Sequence, residues 1–476
     1  MMKSILRQSP LGLLRRPACQ KLRPTASADS SVWRPSRDIQ YNLVRGVASS
    51  WSPRQQEYPE EKRWAPLPTR KAINRLSVIQ TTAPRYVTVD IEGEQVAFDN
   101  IFLRDACRCH MCVDPSTQQK LIQTSDINYD TKPKFQTALP DGTLVIKWDI
   151  GPGVDGQHIS TYSFDFLRTQ ANLRWRLRSN FNDRRQVLWD KRLMEQDVLW
   201  IDYQTYMESD EMLLEAVRHL SIYGLVFLRK VPENSRQNSV EGIAKRIGNI
   251  KETFYGRTWD VKNVKDAKNI AYTPLNLGLH MDLLYFESPP GLQFLHCIRN
   301  TVTGGSSIFA DAFRAAQTVR MTSEPLFKAL CDFPVTFHYK NDGHHYHYSR
   351  PTVVLEKNTY LRQPRIDHMN WSPPFQAPIE VDTNGKDNRA FRSWLHAIRN
   401  LGTSIEDPES QFELKLNEGE CVIFNNRRVV HGRREFDPES GDRWLKGTYV
   451  DVDAFLSKFR TLSERFKGGV DNQDYL

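Results

Sequence analysis

Hydrophobic and polar positions alternate along the chain in short stretches that predict more strands than helices. Residues 85–91 alternate with a period of two, and residues 143–148 do so after the turn pair Asp141-Gly142. A helix-like spacing of apolar residues follows in 160–182. These elements predict a small first unit that ends near residue 190.

The rest of the chain combines a few amphipathic helices with many short apolar runs. Ser209 can cap a helix whose buried face carries Leu213 and Leu220, and Gly224 ends it. Two further helices are predicted at 240–247 and 391–402. Strands are predicted at 225–228, 291–298, 307–310, 352–355, 420–424 and 447–452. Short strands, Gly/Pro turns and flanking helices together indicate a mainly β fold, a double-sheet jelly roll.

The basic charge of the chain is concentrated at its N-terminus. The net charge is +8, and residues 1–50 contribute +7 of it, from nine Lys or Arg and two acids. This Ser-rich segment predicts a mitochondrial transit peptide over 1–48, with a disordered basic tail as the alternative. Residues 49–74 are predicted to be a linker. The near-neutral remainder argues against nucleic-acid binding, and no apolar run reaches the roughly 18–20 residues of a membrane span.

Three of the seven cysteines lie close together, at Cys107, Cys109 and Cys112. Three thiolates at this spacing suit a structural, tetrahedral zinc ion with one further ligand. A redox motif is the alternative. His110 lies inside the cluster, where the tight spacing makes simultaneous ligation awkward. We therefore expect a zinc site with one further ligand, for which His110 is the weaker candidate.

The other cysteines and a His-rich stretch carry no predicted site. An odd number of unevenly spaced cysteines does not make a disulfide framework. Cys297, Cys331 and Cys421 lie in apolar segments and are predicted to be buried thiols, which fits a reducing compartment. Residues 338–347 are predicted to form a loop over a pocket or a polar surface rather than a metal site.

A His-x-Asp string, His280-Met-Asp282, carries the most informative chemistry. On a strand, residues i and i+2 point to the same side, so both side chains can approach one metal. A third ligand is predicted at His431, where an apolar strand leads to a His-Gly turn. Two histidines and one carboxylate leave three positions open, as in non-haem iron oxygenases. Arg443 could bind the far carboxylate of 2-oxoglutarate, and Ser307 could donate a second hydrogen bond to it.

Residues 280–298, 303–313 and 424–453, which contain these side chains, resemble the TauD-like γ-butyrobetaine dioxygenase and trimethyllysine dioxygenase family. The resemblance implies a double-stranded β-helix over 191–465, a small α+β zinc-binding domain over 75–190 and a C-terminal tail over 466–476. It implies iron(II), 2-oxoglutarate as cosubstrate and ascorbate as reductant. The implied reaction couples O₂ activation and decarboxylation of 2-oxoglutarate to hydroxylation of a C–H bond. It also implies that His158 is the fourth zinc ligand and that the protein is a homodimer.

The resemblance also maps a pocket for a trimethylammonium acid, since aromatic faces attract such a cation. The matching positions are Tyr255, Trp259, Asn269, Tyr272 and Tyr449. The implied reaction is hydroxylation of γ-butyrobetaine to carnitine, in carnitine biosynthesis.

Two residues depart from the γ-butyrobetaine pattern. Leu283 stands where the animal enzymes carry an aromatic residue, and Asp367 stands where an amide is expected. Three alternatives therefore stay open: a trimethyllysine dioxygenase, a related oxygenase with another substrate, and an inactive binding module.

Overall fold

The computed structural model describes residues 76–79, 85–149, 158–173, 176, 186–232, 239–262, 273–356, 363–381 and 388–466. The predicted transit peptide and linker lie outside the described residues, as does the predicted tail beyond residue 466. Among the described helices, none is both long enough and apolar enough to cross a membrane.

The first part of the described chain contains two antiparallel three-stranded sheets. The first is β1 (Leu76–Ile79), β2 (Tyr86–Ile91) and β3 (Glu94–Asp99), and the second is β4 (Lys132–Ala138), β5 (Leu144–Asp149) and β6 (Ile159–Tyr162). Helix α1 (Asn100–Asp105) follows β3, and α2 (Phe164–Ala171) follows β6. The alternation of β2 buries Val87 and Val89 against Ile146 and Trp148 of β5 in one core.

One helix predicted in this part begins later than expected. Residues 160–162 belong to strand β6, because Ser160 and Tyr162 face the core and β6 pairs with β5. The Ser160 hydroxyl also accepts a 2.8 Å hydrogen bond from the Trp148 indole. The helix starts only after Ser163, whose side chain caps it. The predicted residues beyond 176 lie outside the described part until residue 186.

The larger part of the chain is built on two facing sheets. The first is a four-stranded sheet in the order β10 (Leu277–His280), β20 (Val429–Arg433), β13 (Ser307–Asp311), β18 (Gln411–Leu414). The second has six strands, in the order β7 (Trp200–Asp202), β8 (Leu225–Arg229), β19 (Cys421–Asn425), β11 (Leu292–Asn300), β22 (Arg443–Val450), β9 (Trp259–Lys262). Neighbouring strands are antiparallel except β7 and β8. The jelly roll is confirmed.

Helices cover the outer face of each sheet. On the six-stranded sheet lie α5 (Asp210–Ile222), α6 (Ser239–Ile247) and α10 (Val452–Arg465), which share one apolar core with it. On the four-stranded sheet lie α7 (Ala312–Thr322), α8 (Glu324–Asp332) and α9 (Arg389–Glu406). Two short helices, α3 (Lys191–Asp197) and α4 (Tyr203–Glu208), precede α5. As predicted, the Ser209 hydroxyl caps α5, accepting a 3.1 Å hydrogen bond from the Met212 N–H.

Three short antiparallel pairs complete the described part: β12 (Thr303–Gly304) with β21 (Phe436–Asp437), β14 (Pro334–Asn341) with β15 (His344–Pro351), and β16 (Val353–Leu355) with β17 (Ile366–Met369). The stretch 338–347 was predicted to be a loop or a polar surface; it is a β-hairpin rather than a loop, and His345 and His347 on it are exposed, which agrees with the polar surface. Its turn residues Asp342 and Gly343 both have positive φ, which the Asp-Gly sequence favours. Cys331 also differs from the prediction, since it is only partly buried, whereas Cys297 and Cys421 are fully buried.

Candidate active site and zinc site

Two neighbouring strands of the four-stranded sheet bring the predicted iron ligands together. His280 at the end of β10 lies directly opposite His431 on β20, and their ring centroids are 4.3 Å apart. Asp282 follows two residues later, with Oδ1 3.3 Å from His280 Nε2. One ligand atom from each of the three side chains lies within 4.8 Å of the others. This spacing suits a single metal ion.

The protonation states of the three side chains also fit a divalent metal. His280 Nδ1 lies 2.8 Å from the Gly278 carbonyl, so the proton belongs on Nδ1 and Nε2 is free to coordinate. Burial lowers the pKa of His431 to about 3, which keeps its imidazole neutral. The buried His431 Nδ1 has no hydrogen-bond partner in the described part of the chain. Burial by itself raises the pKa of Asp282, but its interactions with His280, with His431 and with the Tyr449 hydroxyl outweigh burial and lower the pKa, so the carboxylate is ionised.

Asp282 is held in place by groups that are distant in sequence. The Asn426 side chain accepts a 2.7 Å hydrogen bond from the Asp282 N–H and donates a 3.0 Å bond to the Asp282 carbonyl. The Tyr449 hydroxyl donates a 2.7 Å hydrogen bond to Asp282 Oδ2. The next residue, Leu283, is buried and has a left-handed φ of 58°. Such backbone strain persists only where the surroundings enforce it, and here the amide of Asn426 does so.

A buried ion pair fixes the turn that carries Asn426. The Arg428 guanidinium contacts both carboxylate oxygens of Asp311, at 2.8 and 3.1 Å, and both side chains are almost fully buried. Arg428 also donates hydrogen bonds to the carbonyls of Val187 and Ile222. Asn426, Arg428 and Asp311 were not predicted from the sequence to support the site. Their only sequence signal is a polar run directly after an apolar strand.

Ser307 is the first residue of β13, and Arg443 is the first residue of β22. Arg443 is buried, and its Nε has no hydrogen-bond partner among the described residues. A Cβ on Gly305 would lie 3.4 Å from that Nε, which places the guanidinium against the segment just before Ser307. Burial, and then the charge of Arg433, lowers the Arg443 pKa to about 10, so it remains a cation at neutral pH. A buried cation with an unsatisfied Nε in the described part of the chain favours an anionic partner such as a carboxylate.

Three of the predicted substrate residues form an aromatic group beside Asp282. Trp259 stacks on Tyr449 with ring centroids 4.0 Å apart, and Tyr255 lies 6.3 Å from Trp259. Gly447 makes this possible, because a Cβ there would lie 2.5 Å from the Trp259 ring. The other two predicted residues, Asn269 and Tyr272, lie outside the described part of the chain.

The predicted zinc ligands also meet. His158 Nε2 lies 3.3 Å from Cys107 Sγ, 3.5 Å from Cys112 Sγ and 3.8 Å from Cys109 Sγ. His110 is exposed and does not belong to this group. Burial, and then the charge of Arg104, lowers the pKa of His158 to about 4, so its ring is neutral, as a metal ligand must be. Three thiols and one imidazole at these distances fit a tetrahedral zinc site. In the described part of the chain, this cluster and the His280 group are the two sets of side chains that could hold a metal.

A jelly roll that brings two histidines and a carboxylate together on adjacent strands defines the class of non-haem iron oxygenases. Two family models match the chain: "Taurine catabolism dioxygenase TauD, TfdA family" over residues 191–449 and "Gamma-butyrobetaine hydroxylase-like, N-terminal" over residues 81–168.

Individual relatives agree with these family models. Dioxygenase str8 of Strobilurus tenacellus is 41% identical over 76% of this chain and 84% of the relative. The γ-butyrobetaine dioxygenase of Pseudomonas sp. (strain AK-1) is 33% identical over 78% and 92%. The mitochondrial trimethyllysine dioxygenase of Rattus norvegicus is 30% identical over 77% and 82%. The chain belongs to the TauD-like γ-butyrobetaine and trimethyllysine dioxygenase family and is a 2-oxoglutarate-dependent dioxygenase.

Proposed function

We propose that this dioxygenase hydroxylates a small trimethylammonium acid, with γ-butyrobetaine as the leading substrate and carnitine as its product. The observation that carries the proposal is the aromatic group of Tyr255, Trp259 and Tyr449, whose Tyr449 hydroxyl is bonded to the candidate iron ligand Asp282. A quaternary ammonium cannot donate hydrogen bonds, so aromatic faces are the natural means of recognising it. A substrate held there lies next to the reacting centre.

His280, Asp282 and His431 would hold iron(II), and the bound iron would supply O₂ activation coupled to the decarboxylation of 2-oxoglutarate to succinate and CO₂. The neutral imidazole of His431 and the ionised carboxylate of Asp282 are ready to coordinate without losing further protons. Arg443 would bind the distal carboxylate of 2-oxoglutarate through its guanidinium, with Ser307 donating a second hydrogen bond. These contacts would orient the cosubstrate before the substrate enters.

A trimethyllysine substrate is the second candidate, and two residues favour it over γ-butyrobetaine. Leu283 fills the position after Asp282 with a buried aliphatic side chain instead of an aromatic ring. Asp367 places a carboxylate where an amide would suit the substrate carboxylate of γ-butyrobetaine. A substrate that carries an additional ammonium group would tolerate this anion better.

Other features are proposed on the family relationship. Cys107, Cys109, Cys112 and His158 would bind a structural zinc, and ascorbate would keep the iron reduced. The basic segment 1–48 would direct the protein to mitochondria. The names of the similar trimethyllysine dioxygenases of rat and cattle describe those proteins as mitochondrial. The active protein would be a homodimer.

Succinate formation by the purified iron-loaded protein tests the proposal. We expect γ-butyrobetaine to stimulate it strongly and trimethyllysine weakly; the reverse order would support the second candidate. Asp282→Ala should abolish stimulation and iron binding while zinc content stays unchanged. Asp332→Ala, which removes an exposed acid at the end of α8, is the matched control and should behave like the unaltered protein. Stimulation that survives Asp282→Ala would contradict the proposed iron site.

A further inference from the structure

Among the residues that the structure describes, two buried arginines near the candidate iron site have no carboxylate paired with them. Arg350 on β15 and Arg427 in the turn between β19 and β20 are each only 8% exposed. Arg427 Nη1 and Arg350 Nε are buried atoms that have no hydrogen-bond partner in the described part of the chain. Burying an ionised group without a partner costs several kcal/mol, roughly, so such a pair indicates a missing ligand.

Both arginines are attached to the turn that carries Asp282. Arg350 Nη2 donates hydrogen bonds to the carbonyls of Phe286 and Glu287, just beyond that turn. Arg427 directly follows Asn426, whose amide holds the Asp282 peptide. The Arg427 carbonyl also accepts a 2.8 Å hydrogen bond from the Met369 N–H, which fixes its backbone against the end of β17. The two cations therefore lie beside the same segment as the candidate iron ligand.

The acidic side chains whose charges reach Arg350 and Arg427 form no direct ion pair with them in the described part of the chain. Burial, and then the charge of Arg350, lowers the Arg427 pKa to about 9, while Asp367 opposes this shift. Asp367 is exposed and lies 2.6 Å from His368 Nδ1. Glu287, the acid whose charge reaches Arg350, is exposed as well. Neither acid is within ion-pair distance of either guanidinium among the described contacts.

We propose that Arg350 and Arg427 form a carboxylate-binding site that receives the anionic end of the substrate. A planar guanidinium matches a carboxylate, and charge-assisted hydrogen bonds between them are strong where water is excluded. This assignment rests on the proposed function, because it makes the substrate an acid with a cation at its other end. It also explains how a substrate carboxylate is tolerated near Asp367: two cations outweigh one half-exposed anion.

Paired ligands test the site without requiring turnover. The anaerobic enzyme loaded with iron(II) and 2-oxoglutarate is titrated with γ-butyrobetaine and with its methyl ester, which keeps the cation but loses the negative charge. We expect the acid to bind at least about 10-fold more tightly than the ester, since hydrogen bonds to charged groups contribute roughly 1.5–3 kcal/mol. In Arg427→Gln the two ligands should bind equally, and Arg427→Lys should restore part of the preference. Arg299→Gln, which removes an exposed arginine paired with Glu418, is the matched control and should keep it.

A second measurement separates this site from the choice of substrate. Thermal unfolding of the same loaded enzyme is followed with increasing acetate at constant ionic strength. Acetate should raise the Tm of the unaltered protein and of Arg299→Gln, but not that of Arg427→Gln. If neither γ-butyrobetaine nor its ester binds while acetate acts in this way, the proposed substrate fails and the carboxylate site stands. If γ-butyrobetaine is turned over but Arg427→Gln still prefers the acid, the site fails and the proposed function stands.

Stability provides the last control. Because Arg427 is a buried cation without an ion-pair partner in the described part of the chain, Arg427→Gln should unfold at the same temperature as the unaltered protein or higher when no acetate is added. A marked fall in Tm would mean that Arg427 has a structural partner within the protein, which would overturn the proposal.

Discussion

The Tyr449 hydroxyl donates a 2.7 Å hydrogen bond to Asp282 Oδ2, while the Tyr449 ring stacks on Trp259 at 4.0 Å. One side chain thus links the candidate iron site to the aromatic group. The hydroxyl holds one oxygen of the carboxylate, so that the other, Oδ1, faces His280. Groups that orient a metal ligand in this way contribute strongly to metal affinity.

Tyr449→Phe should therefore weaken iron binding while leaving the ring stack in place. We expect the iron affinity to fall about 10- to 100-fold, the range typical for the loss of a group that orients a metal ligand. Metal titration followed by succinate formation at saturating iron measures both effects. Activity should largely return at high iron, since the phenyl ring still packs on Trp259.

The matched control for this change is Tyr206→Phe. Tyr206 is also fully buried and its hydroxyl also makes one hydrogen bond, to the Ile243 carbonyl in the helical layer. Its loss should leave the iron affinity unchanged. Equal iron affinities in Tyr449→Phe and the unaltered protein would show that the hydroxyl does not orient Asp282 in the metal-bound state.

Arg443→Lys should raise the KM for 2-oxoglutarate by about 10- to 100-fold. Lysine keeps the positive charge but loses the two-pronged guanidinium, and a hydrogen bond between charged groups contributes roughly 1.5–3 kcal/mol. Steady-state kinetics with varied 2-oxoglutarate measures the effect, and the KM for the primary substrate should change little. Arg434→Lys, an exposed arginine paired with Glu413, is the control. A KM for 2-oxoglutarate that stays constant in Arg443→Lys would remove Arg443 from the cosubstrate site.

Several strands, and the part of each candidate metal site that is local in sequence, were predictable because each leaves a local signal, whereas His158 was given only by the family resemblance. Period-two alternation marks β2, and a His-x-Asp string marks the end of β10. Features that depend on which strands become neighbours left no such signal. The Arg428–Asp311 ion pair and the Asn426 clamp on Asp282 arise only once β20 lies between β10 and β13. The left-handed φ of Leu283 was equally hidden, because no glycine or asparagine marks the position.

A zinc ion bound by Cys107, Cys109, Cys112 and His158 should stabilise the first part of the chain independently of activity. Cys112 is buried, its Sγ lies 3.5 Å from His158 Nε2, and Arg104 donates a 3.2 Å hydrogen bond to it. A structural zinc provides on the order of 10 kcal/mol of binding free energy, which the folded state alone receives. Cys112→Ser should therefore release zinc and lower the Tm, while the iron-site ligands remain able to bind metal. Metal content and thermal unfolding measure this, with Cys331→Ser as a control cysteine outside the cluster. Full zinc content in Cys112→Ser would contradict the ligand set.

A buried histidine that belongs to neither candidate metal site should make the protein sensitive to acid. His296 on β11 is buried, and burial lowers its pKa from 6.5 to about 4. Between these two pH values the unfolded chain binds a proton that the folded chain does not, so folding stability falls as the pH falls from about 6.5 to about 4. The contribution of this one residue is on the order of 3 kcal/mol across that window. His296→Gln should flatten the dependence of stability on pH by this amount, as measured by denaturant unfolding at a series of pH values.

His345→Gln, at an exposed position in the hairpin, should leave the profile unchanged. Parallel profiles for His296→Gln and the unaltered protein would show that His296 becomes protonated without unfolding, and the acid sensitivity would then have to come from other groups.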